Sequence, residues 1–414
     1  MSNRNLLVGT AVLALVGAAS CTDNNAKVLG PKPSQGGGMF QSYVALGNSI
    51  TAGYQSGGIN DSTQVRSYAK LLADQMKTRY AYASIAKPGC PPPIDNFNNQ
   101  TRVTPTGFPP SNGGSCYLRS GTVAILNNVA VPGATSGDPD APGGTQFSNL
   151  LTQLILGGQD QVQRARAANP TFASLWIGNN DVLAPGISGV LTTVPGVSPG
   201  LPSQATFTAN YDKLITDLTT GLNLKGVLIG VVNVTNAPIL FSAQMLQVPQ
   251  FVAALSAAAG KTVTPDPTTC PTSNSLISFL IIGAIKAGTH PATIYCEKIG
   301  VQLLGDVFVL DDQGEIAQVA SYVASVNTYI KGKAASLGFA YLDPNRALDS
   351  LKALTPPQIT ATGPNFAAPT APFGKWISLD GIHPSSAAHI LITNYLIDAI
   401  NGQYATTLAK LPNP

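Results

Sequence analysis

The chain predicts an α/β fold built on a mainly parallel sheet. Two observations carry this expectation. From residue 42 onward, short apolar runs of strand character alternate with longer amphipathic runs of helical period, and several of the apolar runs lead directly into polar, glycine-bearing turns. The strand-like runs are 43–46, 81–85, 127–131, 174–177, 226–232 and 339–342. The helical patterns are 67–78, 152–168, 206–220, 316–333 and 385–401. No internal repeat is present.

Two stretches interrupt the alternation. Residues 87–122 are rich in Pro, Gly and Asn, and residues 237–305 hold further apolar helical patterns, so both read as insertions that could wall a site. The apolar run 276–285 is too short to span a bilayer and is expected to pack onto the domain. Composition sets the class. Of 414 residues, 44% are hydrophobic and 10% charged, with 41 Gly, 32 Pro and a net charge of +3. That is not the composition of a disordered chain, and with no Lys/Arg-rich run no nucleic-acid partner is expected.

At the N-terminus a short basic region precedes the apolar run 6–19, which suits a secretion signal over residues 1–20. Ala18-Ala19-Ser20-Cys21 resembles the lipobox of bacterial lipoproteins, although that pattern prefers Leu where Ala18 stands. The expectation is an exported protein held at a membrane through an acylated Cys21, outer-membrane, cell-surface or periplasmic. The alternative is ordinary signal cleavage with Cys21 incidental. Residues 21–38 have a tether's composition. The main domain is expected over 39–405, with a tail over 406–414.

Five cysteines are odd for an exported chain, but setting Cys21 aside leaves an even four. Three connectivities exist. The local pairs Cys90–Cys116 and Cys270–Cys296 are favoured because each would staple one insertion. A metal site is the competing reading, but there is no CxxC and His290 is the only histidine near a cysteine. Gly260-Lys261-Thr262 looks like the end of a phosphate loop. Leu255 stands where its first glycine would be required, so no nucleotide site is expected.

Four polar turns carry the candidate chemistry. In "YVALGNSITAG", Ser49 follows an apolar run between Gly47 and Gly53, where it could be a presented nucleophile or an ordinary helix cap. In "LDGIHP", Asp380 stands three residues before His383, a spacing that can set a carboxylate against one imidazole nitrogen and leave the other to take a proton. A capped helix with a surface histidine would look the same. "AVPGAT" places Gly133 after an apolar run, where a backbone N–H could face a ligand. "WIGNND" places Asn180 just after another, where an amide could be a second donor. Ligands collect at the carboxyl ends of strands in such sheets, which favours the four acting together.

In this order, the Ser49, Gly133, Asn180 and Asp380/His383 turns resemble the four blocks of the SGNH or GDSL hydrolase family. "SYAKLLADQM" and "FAYLDPNRAL" add supporting likeness, and the resemblance runs from about residue 42 to 405 apart from the insertions. It implies a three-layer, flavodoxin-like α/β/α fold with a five-stranded sheet. It further implies ester hydrolysis with Ser49 as nucleophile, His383 as base and Asp380 as its orienting acid. Ser49, Gly133 and Asn180 would form the oxyanion hole, and no metal or organic cofactor is called for. The substrate would be a small-molecule or lipid ester, and the chain is expected to be monomeric. Acyl transfer and a silent binding module are the alternatives. Asn48 departs from the family's usual Asp, which is read as a change in local hydrogen bonding.

Overall fold

The computed structural model describes residues 37–103, 123–141, 150–298, 307–352 and 363–414. Its central sheet has four parallel strands, β1 (Tyr43–Gly47), β2 (Phe172–Trp176), β3 (Lys225–Ile229) and β4 (Ala340–Leu342), hydrogen-bonded in that order. Residue 43 pairs with 172, 172 with 225, and 340 with 227. The expected fifth position lies on the free edge of β1. There Ala45 N–H donates to Asn127 O at 2.7 Å, Val129 N–H to Ala45 O at 3.0 Å and Val131 N–H to Gly47 O at 3.1 Å. Segment 127–131 thus follows β1 in parallel through single bridges rather than as a regular strand, and Tyr82 bridges to Asn128 beyond it.

This order is that of a flavodoxin-like sheet. The second segment in sequence lies on one side of β1 and the third on the other, so the winding reverses between β1 and β2, where such sheets open a crevice at their carboxyl ends.

Two helical layers follow from the strand pleat, because successive side chains point to opposite faces. Val44, Leu46, Ala173 and Leu175 meet helices α4 (Gln161–Ala167), α6 (Gln204–Thr219) and α9 (Glu315–Leu337) through Val162, Leu214 and Val326. Tyr43, Ala45, Phe172 and Trp176 meet α2 (Tyr68–Met76) and α11 (Ser386–Tyr404) through Leu72, Leu396 and Ile397. Every residue of β1 and β2 is buried, as sheets covered on both faces require.

The helical pattern expected over 152–168 is two helices, α3 (Leu150–Leu156) and α4. Gly157 and Gly158 separate them with φ of 62° and 87°, which end a right-handed helix. Strand β3 stops at Ile229 because Asn327 then takes the place of a neighbouring strand. Its amide accepts from Val231 N–H at 2.6 Å and donates to Val231 O at 2.9 Å.

The second insertion builds its own small core. Strands Leu240–Ser242, Leu276–Ser278 and Val309–Leu310 form an antiparallel sheet against α7 (Pro249–Ala259) and α8 (Leu280–Ala287). The apolar run 276–285 divides between a strand and α8, and its Ile277, Ile281 and Ile285 are fully buried. The Cys270–Cys296 disulfide closes this unit. Gly260, with φ of 63°, is the left-handed cap that ends α7. Cys90 is buried in the main core, whereas its expected partner Cys116, and Cys21, lie outside the described residues. Leu408 of the C-terminal segment packs into the core beside α11. Among the described residues, no helix is long and apolar enough to cross a membrane.

Candidate active site

Strand β1 ends at Gly47, and the chain turns at once into the one-turn helix α1 (Ser49–Ala52). Asn48 is its N-cap and accepts from Ile50 N–H at 3.1 Å. Ser49 is therefore the first helical residue, whose N–H has no intrahelical acceptor. Only glycine fits at 47. A Cβ there would lie 2.5 Å from Trp176 O and 2.6 Å from Thr51 Oγ1. Both polar groups of Gly47 are clasped by buried Gln161 of α4, whose Oε1 accepts from Gly47 N–H at 2.9 Å while its Nε2 donates to Gly47 O at 3.0 Å.

The far end of the chain meets this turn. His383 Nε2 lies 2.9 Å from Ser49 Oγ, and His383 Nδ1 lies 2.8 Å from Asp380 Oδ2. Both residues sit in a tight hairpin just before α11, closed by Ser378 N–H donating to His383 O at 2.8 Å. Asp380 Oδ1 also accepts from Ile382 N–H at 2.9 Å, His383 N–H at 2.8 Å and Ser378 Oγ at 3.1 Å. Burial works against this carboxylate, but the imidazole beside it and these hydrogen bonds outweigh that and hold Asp380 at about 2. Tyr54 tilts across the imidazole, with ring centroids 4.9 Å apart. Burial, and then the Asp380 charge, push the Tyr54 phenol up to about 12.

Asn180 lines the cavity beside Ser49, and Gly133 lies in the turn that Asn180 holds. The Val131 N–H bond to Gly47 O carries the 131–134 turn beside α1, and Gly133 adopts φ of 90° there. Asn180 lies in the first turn of α5 (Asn179–Ser188), and its Nδ2 donates to Ala134 O at 2.7 Å, leaving one amide hydrogen over. The next residue fixes the turn from below. Asp181 accepts from Ser136 N–H at 2.8 Å and from Ser136 Oγ at 2.6 Å. Burial pushes Asp181 up to about 6, partly offset by those two bonds.

An apolar cavity of about 130 Å³ opens beside Ser49, Asn180 and His383, walled by Leu183, Val234, Leu348 and Ile392 among others. The structure thus sets Ser49, His383 and Asp380 in one hydrogen-bonded line with Asn180 on the same cavity, and places Gly133 in the turn whose Ala134 O accepts from Asn180.

Residues 43–396 match the GDSL-like lipase/acylhydrolase family. The chain belongs to that family. No curated protein matches it by sequence. Among solved structures, a gut microbial diltiazem-metabolizing enzyme aligns at 12% identity with a TM-score of 0.31, over 90% of this chain and 48% of that protein, so this chain spans about half of that protein's length.

In this GDSL-like family member, Asn48 keeps a cap with its oxygen, and its Nδ2 is buried without a partner among the described residues, as is Nδ2 of Asn179. Neither of the other two histidines is among the residues that line the cavity. His389 Nδ1 accepts from Tyr68 N–H at 3.1 Å inside the core, and His290 belongs to the second insertion. Gln161 and Tyr54 are the site residues that sequence reasoning missed. Gln161 carries no motif and meets Gly47 across 114 positions, whereas Tyr54 stands directly after the Ser49 block and could have been suspected from its place.

Proposed function

We propose that this chain is a serine-dependent carboxylic ester hydrolase in which Ser49 is the nucleophile, His383 the general base and Asp380 the group that orients the imidazole. The observation that carries the reading is the unbroken hydrogen-bond chain from Ser49 Oγ through His383 to Asp380. A serine hydroxyl attacks a carbonyl poorly until a positioned base takes its proton. His383 Nε2 is within reach to take it, while the Asp380 carboxylate at Nδ1 fixes the tautomer that leaves Nε2 unprotonated.

Attack of Ser49 Oγ on the ester carbon places negative charge on the carbonyl oxygen. The Ser49 and Gly133 N–H groups and the remaining Asn180 amide hydrogen are the donors for it, each worth about 3 to 4 kcal/mol in the transition state when aligned. Collapse breaks the bond to the alcohol, which leaves with the proton held by His383 Nε2. Water then repeats the sequence on the acyl-Ser49 ester, and the carboxylic acid departs.

The same reading includes export, with Cys21 acylated and residues 21–38 as a tether. Replacing Ser49 by Ala tests the assignment. Ester hydrolysis should fall to background while the circular dichroism spectrum is unchanged. Retention of even about a tenth of the turnover would move the nucleophile elsewhere.

A further inference from the structure

The cavity beside Ser49 has a direction. His383 stands three residues before Ser386, where α11 begins, so distance along α11 is distance from the hydrogen-bonded serine. Ala388, Leu391, Ile392 and Tyr395 line the cavity at helical spacing, and together they form one face of α11. Helix α10 (Pro344–Lys352) supplies a facing wall with the same spacing through Ala347, Leu348 and Leu351. From Ala388 to Tyr395 the wall is about 10 Å long. The space is an apolar pocket shared by Ser49 and one face of each of these two helices.

A second cavity, of about 420 Å³, adjoins the first. Leu391 and Tyr395 line it too, and they are the residues common to both spaces. The outer wall is the C-terminal segment. Asn394 of α11 donates to Leu411 O at 3.0 Å and accepts from Leu411 N–H at 2.8 Å, while Lys410 pairs with Asp398 at 2.7 Å. Leu391 and Tyr395 therefore stand between the apolar space at the serine and a more polar, open space under the C-terminal segment, lined also by Asn394, Asp398 and Lys410.

We propose that Leu391 and Tyr395 are the floor that sets which acyl chains this enzyme accepts. An apolar cavity of about 150 Å³ holds a group the size of benzene, so the inner space takes an acyl chain of about six heavy atoms. Longer chains pass beyond it, toward the open space under the C-terminal segment, only when the floor is truncated. The inference rests on the ester-hydrolase reading above and adds the length and polarity of the acyl group to it.

The test is kcat/KM on p-nitrophenyl acetate, butyrate, hexanoate, octanoate and decanoate for the wild type, Tyr395→Ala, Leu391→Ala and Ala347→Leu. Ratios within one variant do not depend on how much of it is folded. Wild-type values should drop beyond hexanoate. Either floor truncation should raise the decanoate-to-butyrate ratio by about tenfold or more, the discrimination that apolar pockets of this kind give. Ala347→Leu, which narrows the pocket from the opposite wall, should lower the hexanoate-to-butyrate ratio. A wild type that hydrolyses decanoate as well as hexanoate overturns the floor, as do truncations whose ratios stay within about twofold of wild type. Absence of any hydrolysis together with failure of Ser49 to react with a fluorophosphonate would instead overturn the hydrolase reading itself.

Discussion

The backbone N–H of Gly57 donates to Asp380 Oδ2 at 2.6 Å, the same oxygen that meets His383 Nδ1 at 2.8 Å. The loop that leaves the serine helix is thereby tied to the acid that holds the histidine, across 323 positions of sequence. Ser56 strengthens the tie, its N–H donating to Ser378 Oγ at 2.8 Å. Arg102 of the first insertion braces it from outside by donating to Gly57 O at 2.8 Å and Pro92 O at 2.6 Å. The two ends of the site are one hydrogen-bonded unit.

Asp380→Asn should therefore be severe. The amide keeps the shape but can offer His383 Nδ1 a donor, favouring the tautomer that cannot take the Ser49 proton. We expect kcat to fall by about 10⁴ with KM little changed. A loss below about tenfold would mean that His383 is oriented by other groups.

Asn180→Ala removes the side-chain donor that lies beside the Gly133 turn. In the proposed mechanism that donor acts as charge develops, so kcat should fall by about 10² to 10³ with a smaller change in KM. A large rise in KM at constant kcat would make Asn180 a substrate-binding residue instead.

Gln161→Leu leaves the buried Gly47 N–H without its acceptor, while Gly47 O keeps its bond from Val131 N–H. An orphaned buried donor costs about 1 to 3 kcal/mol, which denaturant unfolding should report. Turnover should fall as well, because Gly47 sets the position of Ser49. An unchanged unfolding midpoint would show that Gly47 relaxes to another partner.

Acid should weaken the fold through His389. Burial, and then the charge on nearby His383, depress it from 6.5 to about 3 in the folded state. The unfolded chain thus binds the extra proton between these values, and stability present above about pH 6.5 is lost as pH falls toward 3. Asp181 acts in the opposite sense, since its pKa is raised from 3.8 to about 6 and its protonated form is favoured by folding. His389→Gln should flatten the acid limb of stability against pH, and Asp181→Asn should steepen it. Identical curves for wild type and His389→Gln would show that the imidazole titrates freely in the fold.

Much of this arrangement is legible in the sequence. Ser49, Gly133, Asn180, Asp380 and His383 each sit in a local turn whose residues specify it, so a one-dimensional reading finds them. The strands at 43 and 172 are legible for a similar reason, being short apolar runs buried on both faces. What escapes is whatever depends on two distant segments meeting. Gln161 is one polar residue on an amphipathic helix until Gly47 lies against it, and the Gly57 N–H is anonymous until Asp380 arrives. The edge at 127–131 reads as a regular strand, yet its apolar pattern does not reveal that the neighbour at 82 meets it at a single bridge. Helix α4 begins where it does because Asp160 and Gln163 form a capping box after the glycine pair, a stop-and-start that an apolar period alone passes over.

In the proposed function, His383 makes Ser49 the reactive nucleophile. Peptide mass spectrometry after treatment with a fluorophosphonate tests it most directly. One adduct per chain is expected, on Ser49, abolished in Ser49→Ala and strongly slowed in His383→Ala. An adduct on another residue, or labelling of Ser49 at the same rate without His383, would contradict it.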